Sequence, residues 1–473
     1  MVCLAQFMVI LDVAIVNVAL PSIRSDLHFS SAGLQWVVNA YTLTFAGFLM
    51  LGGRSADLLG RRRVLLVGTA VFALTSLLCA VASSRGLLIG ARAVQGVSGA
   101  IVSPATLSII ATSFAEGAER NRALGAWVTM GALGASSGAL LGGVLTQWLG
   151  WPAIFAINVP LGLVAIVLGL RVIPAGVRST GPRHFDLLGA VLVTAGLVGI
   201  TGGIVRSDTL GWGSTGVLAP IAAGAGLIGA FLLVEGRFAR APLVPLSIFR
   251  LPQLRAANLV VILMYAAFFA MWFFLTLYLQ QVLHDDPIQA GLEFLPMTGS
   301  VFAGSRVAPR LVARFGVRAV VVAGMLSATA GLILLTGVAP GGSYAAVVLP
   351  GGVLASLGMG LALVPATIAA VQGVPGAQSG LASGLLNTSR LVGGALGLAL
   401  LSSVATAHTR HELVSAVAAP RALTDGFALA FEIGAAFCIA GALVAVALLR
   451  ARPAPPADVA PAPGTAEPEA IAA

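Results

Sequence analysis

The stretch "LDVAIVNVALP", Leu11 to Pro21, places a carboxylate, Asp12, and an amide, Asn17, inside an apolar run. A bare carboxylate in hydrocarbon costs about 2.5–3.5 kcal/mol on insertion scales, so a partner or a function must offset it. Arg92, in "ARAVQGVSGA", is a second charge within an apolar run. At 1.5 Å per residue, Asp12 sits about 13 Å from the Pro21 end of its run, and Arg92 about 8 Å from the same side. Those depths suit a hydrogen-bonded or water-bridged pair. Two readings stay open: a static ion pair that ties two helices, or a carboxylate that exchanges protons and is tuned by Arg92 and by burial. A neighbouring cation favours an ionised carboxylate and burial opposes it. Opening the site to one side or the other shifts that balance, as proton coupling requires.

Other side chains extend the set. Arg390 and Asn387 share one apolar run, with a structural or gating role expected. Glu293 and Glu432 each enter a run a few residues from its outer end, where they either snorkel to water or attract cationic compounds and share proton traffic. Trp272 and Phe273 belong to "YAAFFAMWFFLTLY". That segment packs against helices or lipid, or forms an apolar substrate wall, since aromatic faces bind flat cations.

The elements that carry these groups follow from composition. Of 473 residues, 58% are hydrophobic and 9% charged, against about 25% charged in soluble proteins. Such a chain cannot clothe a water-facing surface, so it is read as an all-α polytopic membrane protein. All 26 basic residues are Arg, and without Lys no GxxxxGK[ST] phosphate loop exists. Cys3, Cys79 and Cys438 lie in apolar runs without metal-ligand spacing, so neither a disulfide framework nor a metal site is expected. His408, His411 and Glu412 are assigned to an outer loop with no further ligand cluster, so an enzyme is not expected, and a non-transporting sensor stands as a remote alternative. The apolar N-terminus lacks a basic flank, so it is read as a retained helix and not a signal peptide. Met1 leaves that helix almost no cytoplasmic tail, which points to a longer natural start.

A span needs about 20 apolar residues. Fourteen are expected, at 1–20, 34–53, 63–83, 87–113, 122–146, 152–172, 186–206, 216–235, 256–282, 290–311, 318–338, 345–370, 380–405 and 427–449. With the N-terminus inside, nineteen arginines fall in cytoplasmic segments and five in outer loops. This bias places both termini in the cytoplasm. It also accounts for the formal net charge of +9 without nucleic acid as a partner. Trp36, Trp148, Trp151 and Trp212 fall at outer span ends, as an interfacial belt.

"GRSADLLGRRR" (53–63) echoes "PRLVARFGVR" (309–318): shifted by 256, Gly60 meets Gly316 and Arg62 meets Arg318. "VSPAT" (102–106) echoes "LVPAT" (363–367). Two related six-helix halves are expected, residues 1–175 and 251–450. An inserted two-helix hairpin with flanking linkers occupies 176–250, and a disordered Pro/Ala-rich tail 451–473. Parallel repeats about an axis along the membrane normal are a transporter architecture. Gly53 and Gly60 are read as giving the tight cytoplasmic turn.

These motifs resemble the major facilitator superfamily in its fourteen-span drug:proton antiporter branch (the EmrB/QacA type). "LDVAIVNVALP" resembles the first-helix motif, with Ala14 where Thr is usual. "GGRSADLLGRRR" resembles the cytoplasmic loop motif, "ARAVQGVSGA" the fourth-helix motif, and "NTSRLVGGALG" a typical thirteenth-helix stretch. "GALGASSGALLGG" resembles the fifth-helix antiporter motif, with Ala139 where Pro is usual. Gly134, Gly138, Gly142 and Gly143 retain a small-residue face for close packing. The resemblance implies the major facilitator fold and proton coupling through Asp12 and Arg92. It also implies a conformational gate of Gly53, Asp57, Gly60, Arg61 and Arg62. The implied function is export of amphipathic or cationic drugs across the cytoplasmic membrane, driven by the proton motive force with no cofactor. The runner-up is a dedicated exporter of one endogenous metabolite. The expected partners are a small-molecule substrate, protons and the lipid bilayer, and the expected state is a monomer.

Overall fold

A computed structural model describes residues 1–114, 118–173, 186–239, 242–372, 374 and 379–449. The tail 451–473 and Arg178 and Arg183 of the linker lie outside them. Helices dominate and no strand occurs among the described residues. The first half holds α1 (Val2–Asp26), α2 (Trp36–Leu59), α3 (Arg61–Ala80), α4 (Arg85–Ser113), α5 (Ala118–Leu149) and α6 (Asn158–Val172). Then come α7 (Leu187–Leu210), α8 (Thr215–Leu233) and α9 (Pro252–Leu277). A 41-residue helix, Leu295–Leu335, breaks at Gly316, where φ is 82° and ψ 162°; its arms, 295–315 and 317–335, are α10 and α11. The chain ends in α12 (Leu349–Val371), α13 (Ser379–Val414) and α14 (Ala419–Leu448).

Among the described residues, twelve helical segments are long and apolar enough to cross a membrane, the broken helix counting as one. Its two arms and the 32-residue α5 bring the set to the expected fourteen. Apolar side chains such as Leu163, Leu170, Leu218 and Leu232 are exposed on the helix surfaces. In water such a surface would aggregate; in a bilayer it is the lipid-facing belt.

Several boundaries differ from the sequence reading. α1 runs through Pro21 to Asp26, so Asp12 lies about 21 Å from its C-terminal end at 1.5 Å per residue. Proline in a transmembrane helix is tolerated because neighbouring helices satisfy the freed carbonyl. α13 extends to Val414, so His408, His411 and Glu412 sit on its last turns and not in a loop. His408 pairs with Glu412 at 3.3 Å, one helical turn away.

Gly60 and Gly316 share one backbone role. Gly60 has φ 94° and ψ 121° between α2 and α3, and both lie where φ is positive, a region that disfavours side chains. Gly53 does not shape that turn. It lies inside α2, and a Cβ there would meet only Pro104, at 3.7 Å. Its neighbour Gly52 carries the constraint instead: a Cβ there would fall 2.1 Å from the Ala100 carbonyl oxygen of α4.

Candidate functional site

Asp12 is fully buried at the centre of the first half. Its Oδ2 accepts from Arg92 Nη1 at 2.5 Å. Its Oδ1 accepts from Gln95 Nε2 and from Asn158 Nδ2, each at 2.9 Å. Gln95 lies one turn after Arg92 on α4, so one helix face presents both, and Gln95 Oε1 accepts from Arg92 Nη1 at 2.9 Å. Ser76 Oγ of α3 accepts from Gln95 and Asn158 and donates to the Phe155 carbonyl at 2.9 Å. Arg92 Nε donates to the Val37 carbonyl at 3.0 Å, and its guanidinium lies 4.4 Å over the Tyr41 ring of α2.

Five helices therefore meet in one buried network, whose carboxylate is touched directly from α4 and from the start of α6. Three side-chain donors converge on Asp12, and the Arg92 guanidinium is the opposite charge beside it. Removing either partner leaves a buried uncompensated charge. The sequence reading paired Asp12 with Arg92 but did not single out Gln95, Asn158, Ser76 or Tyr41. Two signals were present: Gln95 stands at i+3 from Arg92, and Asn158 precedes Pro160 at the start of an apolar run.

The loop between α2 and α3 is tied to its surroundings. Arg61 Nε donates to Ser108 Oγ of α4 at 2.6 Å. Arg62 Nη2 donates to the Leu170 carbonyl near the end of α6 at 2.7 Å. The Asp57 side chain lies outside the described set.

The glycine face of α5 splits between two neighbours. A Cβ at Gly134, Gly138 or Gly142 would fall 2.9, 2.5 or 2.8 Å from atoms of α1. Gly143, one residue on, faces the other half: a Cβ there would fall 2.3 Å from the Pro287 carbonyl oxygen. Ala139 is buried, and its carbonyl oxygen would lie 2.6 Å from a Cβ at Gly291. With Ala139 in place of proline, α5 runs unbroken through this contact. Nearby contacts between the halves are Arg24 Nη1 to Gln281 Oε1 at 2.9 Å and Gln280 Nε2 to the Val18 carbonyl at 2.8 Å.

The remaining residues disperse. Asn17 donates back to Val13 and Ala14 of its own helix. Glu293 accepts from Gln289 Nε2 at 3.4 Å, and its backbone carbonyl accepts from Tyr344. Trp272 stacks on Phe294, with ring centroids 4.9 Å apart, whereas Phe273 is buried against Phe274. Arg390 Nη1 donates to Asn387 Oδ1 at 3.0 Å, and its guanidinium lies 4.8 Å over the Tyr265 ring. Glu432 is exposed on the same stripe of α14 as Ile439, Leu443 and Val446. Among the described residues no cluster of His, Cys, Asp and Glu is arranged to hold a metal ion.

The chain matches the Major Facilitator Superfamily profile over residues 2–398. It is 44% identical over 405 residues to the cephamycin export protein CmcT of Amycolatopsis lactamdurans, covering 85% of this chain and 83% of that protein. It is 39% identical over 448 residues to the puromycin resistance protein pur8 of Streptomyces alboniger, covering 94% and 88%. Among solved structures it resembles an inward-facing, unoccupied bacterial homolog of the human lysosomal transporter Spinster. That likeness has a TM-score of 0.67 at 16% identity, over 96% of this chain and 97% of that one, and speaks to the fold alone.

Proposed function

The chain belongs to the Major Facilitator Superfamily, and from that premise we propose that it exports antibiotic-like amphipathic molecules across the cytoplasmic membrane in exchange for protons. Asp12 is the proton-exchanging group. The observation that carries this reading is a fully buried carboxylate held by Arg92, Gln95 and Asn158. Protonation releases the charge that Arg92 compensates, and the five converging helices are then free to rearrange. A ligand or proton shifts a conformational equilibrium only through differential interaction with its two states, and Asp12 supplies that difference. Similarity to the cephamycin export and puromycin resistance proteins supports the export of antibiotics. Both termini lie in the cytoplasm, a reading supported by the arginine distribution. The energy source is the proton gradient, with no cofactor, and the working unit is a monomer.

A narrower reading, an exporter dedicated to one compound, is favoured by the 44% identity to a protein named for a single antibiotic class. Everted membrane vesicles test both. Puromycin and a cephamycin are offered with and without a proton gradient. Gradient-dependent accumulation that an uncoupler abolishes supports exchange, and uptake of one compound only selects the narrower reading. Accumulation indifferent to the uncoupler overturns proton coupling.

A further inference from the structure

We infer that Arg390, with Asn387 and Tyr265, receives an acidic group of the exported molecule in the second half. This inference rests on the exporter reading above. Arg390 stands eleven residues into the 36-residue α13, about 17 Å along it at 1.5 Å per residue. Tyr265 stands at a matching depth, thirteen residues into α9. A guanidinium stays charged at every working pH, and at this depth it needs a partner.

Among the described residues no carboxylate pairs with Arg390. Asp12 is fully committed to Arg92, Gln95 and Asn158. Glu432 lies on the exposed stripe of α14, and Glu293 closes the short helix Pro287–Glu293 before α10, beside Gln289. What Arg390 does have is one neutral amide, Asn387, and the ring face and hydroxyl oxygen of Tyr265. Neither cancels its charge. The Tyr265 hydroxyl is buried without a well-formed hydrogen bond, although the residue is 4% exposed. A buried hydroxyl normally finds a partner. A spare cation and a spare donor therefore stand side by side.

The surface is accessible beside Arg390, at Asn387. Among the described residues of α13 from 381 to 406, only Asn387 is exposed. A Cβ on Gly384, one turn before it, would touch Met50 of α2, and one on Gly394 would touch the Phe269 ring of α9. On a helical wheel Asn387 falls between those two directions, so it faces the gap between α2 of the first half and α9 of the second. Phe269 and Trp272 continue the Tyr265 face of α9 at i+4 and i+7, and Trp272 is backed by Phe294. An acid-bearing flat molecule fits this surface: its carboxylate or sulfonate on Arg390 and the Tyr265 hydroxyl, its rings along Phe269 and Trp272. Read from sequence alone, the aromatic run suggested flat cations; the arginine beside it reverses the preferred charge.

The test uses three pyrene probes of matched length: pyrenebutyrate, its methyl ester and a pyrenyl trimethylammonium. Full-length protein in proteoliposomes, with a proton gradient, is assayed for each beside puromycin and a cephamycin. A charge-assisted pair at this site predicts that the carboxylate is preferred over the ester by about tenfold or more in kcat/KM. Arg390→Gln abolishes that preference, read as the carboxylate-to-ester ratio within each variant, and Arg390→Lys keeps part of it. Tyr265→Phe reduces it a few-fold, which keeps the test decisive if Arg390→Gln fails to fold. Antibiotic transport without preference for the carboxylate, or a preference that survives Arg390→Gln or is untouched in both Arg390→Lys and Tyr265→Phe, overturns the inference and leaves the exporter reading standing. Failure to move any compound, antibiotics included, overturns the exporter reading and this inference with it.

Discussion

The side-chain amide of Asn158 donates to Oδ1 of Asp12 at 2.9 Å across 146 residues of sequence. It shares that oxygen with Gln95, while Arg92 takes Oδ2. The carboxylate is thus held from α1, α4 and the start of α6 at once. Separating any one of these helices from the others must break a hydrogen bond to Asp12.

Replacing Asn158 with Leu removes one of the three donors and leaves an acceptor lobe of Asp12 unsatisfied. The expected cost is about 1–3 kcal/mol, read as a lower midpoint of thermal unfolding in detergent. The pH profile of transport shifts as well, because Asn158 donates to the group proposed to exchange protons. An unchanged profile would assign Asn158 a packing role alone.

Asp12→Asn should abolish gradient-driven efflux and leave Arg92 uncompensated, at a cost of about 3–5 kcal/mol by soluble-protein analogy. The double variant Asp12→Asn with Arg92→Gln should recover expression but not uphill efflux. Protein level and efflux against a gradient are measured for both. Full uphill efflux in the double variant would sink the assignment of Asp12 as the proton site.

Gly143 and Gly131 lie on the same helix and predict opposite outcomes. Gly131→Ala adds a Cβ whose nearest neighbour is 4.0 Å away, on Ile10, and should transport normally. Gly143→Ala drives a Cβ into the Pro287 carbonyl oxygen and pushes the halves apart. Overpacking of about 1–3 kcal/mol should shift the equilibrium toward the state in which this contact is open. Thiol labelling of Gln281→Cys from the outer side reads that shift, with faster labelling expected in Gly143→Ala.

Gly60→Ala and Gly316→Ala each place a side chain at positive φ. Each should cost about 1–3 kcal/mol, with the loss seen in thermal unfolding and roughly additive in the double variant because the two loops belong to different halves. A neutral result at either site would mean that its loop relaxes to another backbone conformation.

The tail after Arg452 should lie in the cytoplasm. Reporter fusions at the C-terminus, active only inside or only outside, give the answer directly. An outer location would overturn the whole span map, since nineteen arginines would then face outward.

The sequence by itself determined what is a local property of the chain. The cost of a charge in hydrocarbon marks Asp12, Arg92 and Arg390 one residue at a time. Hydrophobic runs of membrane length mark the helices, the 256-residue echo places Gly60 opposite Gly316, and two opposite charges in apolar runs suggest pairing Asp12 with Arg92, although α1 runs on to Asp26 and the depth of Asp12 measured from Pro21 does not hold. Tertiary structure alone decided how helices approach one another, because that depends on side chains tens of residues to more than a hundred residues apart. It showed that Gly52, not Gly53, meets the neighbouring backbone, and that Gly143 turns from α1 toward the other half. It brought Gln95, Asn158 and Ser76 onto Asp12. It also left Arg390 with no described carboxylate, only Asn387 and Tyr265. A polar residue in an apolar run announces that it needs a partner; only the packing of helices says which partner it finds, and whether that partner carries the opposite charge.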